Sequence, residues 1–168
     1  NNIAIYATHT ALDNSKNGVS AKMCEVLGIK NTKILIPKKG IIKKLTTFVP
    51  TKSASELRNS LFEAGAGNIG NYDQCSFNII GEGTYRGNEN SNPVIGEKGI
   101  LHSEQETRIS VVFESKNEGS ILKALQDNHP YEEVAYELIT TENVHQNIGM
   151  GMIGELTSAM NETAFLMY

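Results

Sequence analysis

His9 and Asp13 are the residues whose types and spacing best suit chemistry, because an imidazole and a carboxylate lie four positions apart. Both groups bind zinc, iron or manganese, and a carboxylate can bridge two metal ions in a hydrolytic site. The pair follows Ile3–Thr8, a short apolar segment that we predict to be a strand. Spacing alone favours a structural role, with Asp13 capping the next helix and His9 bonded to backbone. Two ligands are also fewer than a metal site needs.

His129 and Glu133 repeat the four-residue spacing within a His-Pro-Tyr-Glu-Glu segment. On a helix this spacing would place both side chains on one face, but Pro130 is incompatible with a helix there. A metal site is therefore the weaker interpretation. A turn whose Tyr131 packs at a subunit contact is the stronger one, and we assign no role to His102 or His145.

Two glycine-rich segments each allow two interpretations. Gly65, Gly67 and Gly70 match G-x-G-x-x-G, a dinucleotide fingerprint that requires a strand before it and a helix after it. Here we predict a helix before it and a strand after it, which favours a structural helix-to-strand turn. The segment Gly81–Pro93 could cradle an anion through its backbone amides, or could be a polar surface loop.

The elements that would position these residues fall into an outer layer and an inner block. In the outer layer, strand Ile3–Thr8, helix Gly18–Leu27 and strand Lys33–Ile36 suggest a βαβ unit of an α/β domain. A later strand at Asn147–Leu156 and a helix at Glu162–Met167 would rejoin that layer.

The inner block runs from Leu45 to Thr140 and predicts the order strand, helix, strand, strand, helix, strand, which is ferredoxin-like. We therefore expect an α+β protein in which residues 44–141 are an insert, and residues 1–43 and 142–168 are two segments of a partial α/β metal-binding domain. The predicted elements of the block are strand Leu45–Val49, helix Glu56–Ala64 with Ser53 or Ser55 as its cap, strand Tyr72–Ile80, strand Thr107–Glu114, helix Glu118–Asn128 and strand Glu133–Thr140.

Composition narrows the function classes. The 168 residues carry a net charge of −4, which argues against nucleic acid as a partner. No apolar run approaches the roughly 20 residues of a membrane helix, and no signal peptide is recognisable. Cys24 and Cys75 lie in apolar patterns and predict buried thiols of a reducing compartment, the cytoplasm. Because the chain begins with Asn1 and ends at Tyr168 within a predicted helix, we expect a piece of a longer protein.

Five motifs together resemble the NIF3-like family of dinuclear metal centre proteins, homologues of GTP cyclohydrolase type 2. The resemblance covers nearly the whole chain. It implies a metal-binding α/β domain interrupted by an insert similar to the trimeric PII and CutA proteins. The motifs are His9–Asp13, Gly65–Phe77, Gly81–Thr84, His129–Tyr136 and Gly149–Leu156.

The resemblance also implies roles for particular residues. His9 and Asp13 match the family's central metal motif, with Asp13 as the bridging ligand, and the intact protein would hold two divalent metal ions per subunit. The family's His-His pair and its C-terminal His-x-x-x-Glu have no counterpart here, and Met150 and Met152 bring no ligand. We therefore expect an incomplete metal site in this chain.

Two hypotheses about function remain open. The insert is an oligomerising or sensing module, through which the chain forms a homotrimer or hexamer and which can bind a small molecule. Alternatively, the intact protein is a metal-dependent hydrolase of a nucleotide or similar small molecule, with the fragment itself inactive. The sequence identifies no catalytic residue.

Overall fold

A computed structural model describes residues 3–167 of the chain. It divides into two compact units, one comprising Asn1–Lys39 and Asn143–Tyr168 and the other Gly40–Glu142. Both units mix helices with antiparallel strands, so the fold is α+β. No helix within the described residues is long and apolar enough to cross a membrane.

The first unit contains a two-stranded antiparallel sheet formed by its two separate segments. Ile34 pairs with Met152 and Ile36 with Met150 across the two strands. Asn161 caps the last helix by accepting a hydrogen bond from the Ala164 amide. The elements are a 3-10 helix at His9–Asn14, α1 at Val19–Val26, β1 at Lys30–Pro37, β6 at Gly149–Glu155 and α4 at Glu162–Leu166.

The predicted strand at Ile3–Thr8 is wrong, and so is the βαβ unit built on it. These residues have no regular structure, and the side chains of Ile3, Ile5 and Tyr6 are at least 76% exposed. A strand requires a partner for its backbone groups, and the described residues provide none for this segment. β1 pairs antiparallel with β6 instead of joining a parallel layer.

The second unit has the predicted order of strand, helix, strand, strand, helix, strand. The elements are β2 at Ile42–Pro50, α2 at Ala54–Glu63, β3 at Phe77–Tyr85, β4 at His102–Glu114, α3 at Glu118–Asn128 and β5 at Tyr136–Thr140. The four strands form one antiparallel sheet in the order β3-β4-β2-β5. Of the six elements only α3 has the predicted bounds, and the largest differences are that β3 begins five residues later than Tyr72 and that β4 begins at His102 rather than Thr107.

One face of this sheet is covered by α2 and α3 and forms the core of the unit. Along β4, buried residues from Thr107 to Phe113 alternate with half-buried ones, as expected for a strand with one covered face. Residues 106, 108 and 110 of β4 therefore belong to the opposite, open face. The core comprises Leu45, Val49, Ala54, Leu57, Leu61, Ala66, Ile109, Val111, Phe113, Ile121 and Leu125.

The glycine segment after α2 makes the predicted turn from helix to sheet. Gly65, Gly67 and Gly70 all have positive φ angles, of 103°, 79° and 59°. The prediction that Ser53 or Ser55 caps α2 is wrong, because no side chain caps this helix. A 3-10 turn at Thr51–Ser53 leads into α2, so Ser53 is already helical and cannot adopt the extended geometry that a capping side chain requires.

Candidate functional site

His9 and Asp13 lie at the two ends of one short 3-10 helix in the first unit. His9 is exposed with a φ of 43°, and Asp13 is half-buried. A 3-10 helix has three residues per turn, so positions four apart do not face the same side. Asp13 does not cap α1: the N-cap residue of this helix is Gly18, and no side-chain cap hydrogen bond is formed, so the capping interpretation is wrong.

The metal interpretation of His9 and Asp13 stays a prediction. Their donor types suit a divalent metal, but the arrangement supplies two ligands at most. Among residues 3–167, no group of three or more His, Cys, Asp or Glu side chains could hold a metal ion. The described residues therefore do not form a complete metal site, and no reaction step can be derived through one.

His129 is fixed in the turn after α3, and this rules it out as a metal ligand in this conformation. Its Nε2 lies 2.9 Å from the Phe48 carbonyl oxygen, and its Nδ1 accepts a hydrogen bond from the Tyr131 amide at 3.1 Å. Only the neutral tautomer with its proton on Nε2 satisfies both contacts. No lone pair remains for a metal, and Glu133 is exposed.

A cleft of about 770 Å³ lies on the open face of the sheet of the second unit. Strands β2, β3 and β4 contribute the floor, including Phe48, Ile79 and Arg108. One wall is formed by residues 81–94 and the other by residues 131–135. Two of the sequence motifs, Gly81–Thr84 and His129–Tyr136, thus meet at one cleft.

Glu106 is held in the cleft by Tyr131. The Tyr131 hydroxyl donates to Glu106 Oε1 at 2.9 Å. Burial, with the Glu106 carboxylate as a further cause, raises the pKa of Tyr131 far above its ordinary value, so this hydroxyl remains a donor. A Cβ at Gly83 would lie 2.1 Å from Glu106 Oε2, so the glycine leaves room for this carboxylate.

Arg108 follows two residues later on the same strand and face. Phe48 and Ile79 are its neighbours on the adjacent strands. Its Nε is buried and has no hydrogen-bond partner within the described residues. A buried donor without a partner costs about 1–3 kcal/mol. Arg108 therefore brings to the lining of the cleft a guanidinium with one unpaired donor, which the surrounding protein covers from solvent.

Aromatic rings stiffen the side of the cleft. The Tyr85 ring centroid lies 5.7 Å from that of Tyr131 and 5.3 Å from that of His102. The Tyr85 hydroxyl donates to the Ile95 carbonyl at 2.9 Å.

Burial lowers the pKa of His129 below its ordinary value. The Phe48 carbonyl and the Glu106 carboxylate act in the opposite direction but more weakly, so the neutral ring is favoured in the turn.

Sequence reasoning missed Glu106, Arg108 and Tyr85. The strand was predicted to begin at Thr107, which excluded Glu106, and Tyr85 was assigned to a loop. A signal was present in the sequence, because Ile109, Val111 and Phe113 of β4 alternate with the residues between them. Extending the alternation backwards places Glu104, Glu106 and Arg108 on one face.

The model of the Duf34/NIF3 (NGG1p interacting factor 3) family matches residues 1–168. The chain belongs to this family. The GTP cyclohydrolase 1 type 2 homolog of Halalkalibacterium halodurans is 38% identical over 164 residues, which are 97% of this chain and 44% of that protein. The NIF3 chain thus spans less than half the length of such relatives.

A solved structure agrees with this assignment. A Bacillus cereus protein related to NIF3 matches with a TM-score of 0.77 and 40% identity, over 97% of this chain and 43% of that one. CutA from Synechococcus elongatus is also similar, with a TM-score of 0.47 and 20% identity over 67% of this chain and 84% of that one. The NIF3 assignment rests on the family match.

Proposed function

We propose that this chain is the central part of a longer protein that binds two divalent metal ions, and that residues 44–141 are a ferredoxin-like insert that senses a small molecule. The element order of the second unit and its sheet order β3-β4-β2-β5 support the ferredoxin-like assignment. The cleft on the open face of the sheet supports the sensing role.

The cleft is the observation that carries this proposal. Its volume of about 770 Å³ lies in the range of roughly 300–1,000 Å³ that small-molecule sites occupy. Such sites combine apolar walls with a few convergent polar groups. Here Phe48, Ile79 and Tyr85 provide apolar surface, and Glu106 and Arg108 provide opposite charges.

A fragment screen of the 168-residue chain by ¹H–¹⁵N NMR tests this role. The library contains anionic, cationic, zwitterionic and neutral members. We expect saturable shift changes clustered at the amides of Tyr85, Arg108 and Tyr131. A screen in which no fragment produces saturable changes at these amides would rule out the sensing role.

A variant that fills the cleft provides the matched control for the screen. Gly83→Val places a side chain where the Glu106 carboxylate now lies, while β3 tolerates a β-branched residue. Asn78→Val introduces the same residue on the same strand outside the cleft. Binding should weaken in Gly83→Val and persist in Asn78→Val; equal weakening in both would contradict a site at the cleft.

His9 and Asp13 are the residues that we propose as metal ligands of the intact protein, with zinc, iron or manganese as the metal. The donor types support this, and the remaining ligands would come from other parts of the protein. The alternative function is a metal-dependent hydrolase of a nucleotide or similar small molecule, which the name of the relatives suggests.

Elemental analysis separates these metal proposals. We expect the 168-residue chain to retain fewer than two metal ions after dialysis, and two ions per chain would contradict an incomplete site. In a longer form of the protein, Asp13→Ala should lower the metal content, and Asn14→Ala serves as the neighbouring control. Turnover that is unaffected by Asp13→Ala would dismiss hydrolysis at this site.

Self-association through the insert, as a homotrimer or hexamer, is a second proposal that the edge of the sheet supports. β3 is an edge strand, and its side chains Phe77 and Ile80 are 70% and 63% exposed. Exposed apolar edges pair with other chains. Sedimentation velocity at micromolar concentration should show an oligomer that Ile80→Lys dissociates and Ile100→Lys, a loop control, does not. A monomeric wild type would refute self-association.

A further inference from the structure

We propose that the cleft of the second unit binds a zwitterion with an apolar or aromatic substituent, the chemistry of an α-amino acid or a short peptide. The ligand carboxylate would accept from Arg108 and the ligand ammonium would donate to Glu106. This inference rests on the proposed sensing role, because it names the ligand class of the same cleft.

The anionic end of the ligand is indicated by Arg108. Its buried Nε has no partner within the described residues, although the carboxylate of Glu106 belongs to the same strand and face. A guanidinium matches a carboxylate with two parallel hydrogen bonds, which are stronger than neutral ones. Arg108 lines the cleft, and a rotation of its side chain would bring this unpaired donor to an incoming carboxylate.

The cationic end is indicated by Glu106. Tyr131 bonds only its Oε1, and Gly83 presents no side chain to Oε2. The bond from Tyr131 fixes the carboxylate before a ligand arrives, which lowers the entropy cost of binding. Alternate residues on a strand are about 7 Å apart at their Cα atoms, so one small group with both charges can reach both side chains.

The substituent of the ligand is indicated by the surfaces beside these charges. Phe48 and Ile79 flank Arg108 on the adjacent strands, and Tyr85 packs against Tyr131 at the side of the cleft. These surfaces suit an aliphatic or aromatic group, whose burial contributes roughly 25 cal/mol per Å².

The charge of the cleft argues against a polyanion such as a nucleoside triphosphate. Four glutamates and two arginines line it, which gives more negative than positive charge: Glu82, Glu106, Glu132 and Glu133 against Arg86 and Arg108. A polyanion would be repelled, because like charges close together disfavour binding. A ligand whose single carboxylate is balanced by its own ammonium avoids this repulsion.

Four related probes test the proposal by NMR titration of the full chain. L-phenylalanine carries both charges, N-acetyl-L-phenylalanine only the carboxylate, L-phenylalaninamide only the ammonium, and N-acetyl-L-phenylalaninamide neither. We expect L-phenylalanine to bind at least about tenfold more tightly than each single-charge probe, with the uncharged probe the weakest. Equal affinity for all four, or no binding of L-phenylalanine, would overturn the proposal.

Two substitutions assign the charges to residues. Arg108→Met keeps the stem of the side chain, and Glu106→Gln keeps an acceptor for the Tyr131 hydroxyl. Arg108→Met should weaken the binding of N-acetyl-L-phenylalanine and leave the binding of L-phenylalaninamide unchanged. Glu106→Gln should weaken the binding of L-phenylalaninamide and leave that of N-acetyl-L-phenylalanine unchanged. Arg58→Met and Glu56→Gln, both on α2 and outside the cleft, are the matched controls. If either cleft variant keeps a native NMR spectrum but binds neither N-acetyl-L-phenylalanine nor L-phenylalaninamide, the assignment of charges to residues is contradicted.

The outcomes separate this inference from the proposed function. If the fragment screen identifies saturable ligands at the cleft while the four phenylalanine probes bind equally or not at all, the zwitterion inference fails and the sensing role stands. If neither the screen nor the probes give saturable binding, both fail.

Discussion

At the scale of single residues, His129 connects the turn after α3 to the sheet. Its ring joins the carbonyl of Phe48 on β2 to the amide of Tyr131, and both contacts require the neutral form. Protonation would add a hydrogen to Nδ1, facing the hydrogen of the Tyr131 amide. The hydrogen bond between these two groups would become a repulsive contact. The turn that carries Tyr131 into the cleft therefore depends on the protonation state of one histidine.

This dependence predicts the pH profile of stability. The pKa of His129 is lowered in the folded state, so the unfolded state takes up the proton first as the pH falls. The contribution of His129 is fully present above its ordinary pKa of about 6.5 and is lost as the pH falls towards the lower, folded pKa. The free energy of unfolding from urea titrations should therefore decline below pH 6.5 more steeply in wild type than in His129→Asn.

The same variant carries a cost at neutral pH. Asn can replace Nδ1 as acceptor for the Tyr131 amide but cannot reach the Phe48 carbonyl, so we expect a loss of about 1–3 kcal/mol at pH 7.5. His9→Asn, which changes an exposed histidine, is the control and should keep the wild-type profile. If His129→Asn keeps the full pH dependence below 6.5, the histidine is not its source.

Sequence reasoning located His129, Pro130 and Tyr131 as a turn because Pro130 is incompatible with a continuing helix, and α3 does end at Asn128. It could not find the partners of this turn. Glu106 and Phe48 are 25 and 81 residues away from the residues they contact. Such contacts depend on strand register, which no local pattern in a single sequence specifies.

At the scale of elements, the glycine segment after α2 is the best test of local backbone geometry. Gly67 has a φ of 79°, and a Cβ there would lie 2.9 Å from both the amide nitrogen and the carbonyl oxygen of Cys75. Those atoms are backbone and cannot move away cheaply. Gly70 also has a positive φ, of 59°, but nothing lies within 4 Å of the position of its Cβ.

The comparison of these two glycines gives a prediction. Gly70→Ala should cost about 1–2 kcal/mol, the price of a left-handed conformation for a residue with a Cβ. Gly67→Ala should cost more, because steric conflict with the Cys75 backbone adds to the same strain. Urea unfolding of the two variants measures the difference. Equal losses would show that the Cys75 contact does not constrain the turn.

The errors in the predicted elements have a common physical origin. Helix α3 was predicted with its observed bounds because helical periodicity and Pro130 are local signals. Strand ends are determined by partners: β4 extends back to His102 because Thr84 and Tyr85 of β3 pair with Ser103 and His102. Ile3–Thr8 has strand composition but no partner among the described residues, and it forms no strand.

At the scale of the whole molecule, the second unit has the properties of an independent domain. All residues of its core cluster, with the partly buried residues packed against it, lie between Leu45 and Leu138, so its apolar burial needs no other part of the chain. Its first and last strands are neighbours in the sheet, with Lys43 paired to Thr140. The two ends of the unit therefore leave the sheet side by side, as the ends of an inserted domain must.

Excision of this unit is the corresponding experiment. A polypeptide of residues 40–142 should fold by itself, because it retains the complete core and every pairing of the four-stranded sheet. We expect a dispersed ¹H–¹⁵N spectrum and a single cooperative transition in urea, as is usual for domains of this size. As a core control, Leu57→Ala in the excised unit should cost about 2–5 kcal/mol, since Leu57 is fully buried. A collapsed spectrum, or a gradual transition insensitive to Leu57→Ala, would show that the unit requires the rest of the chain.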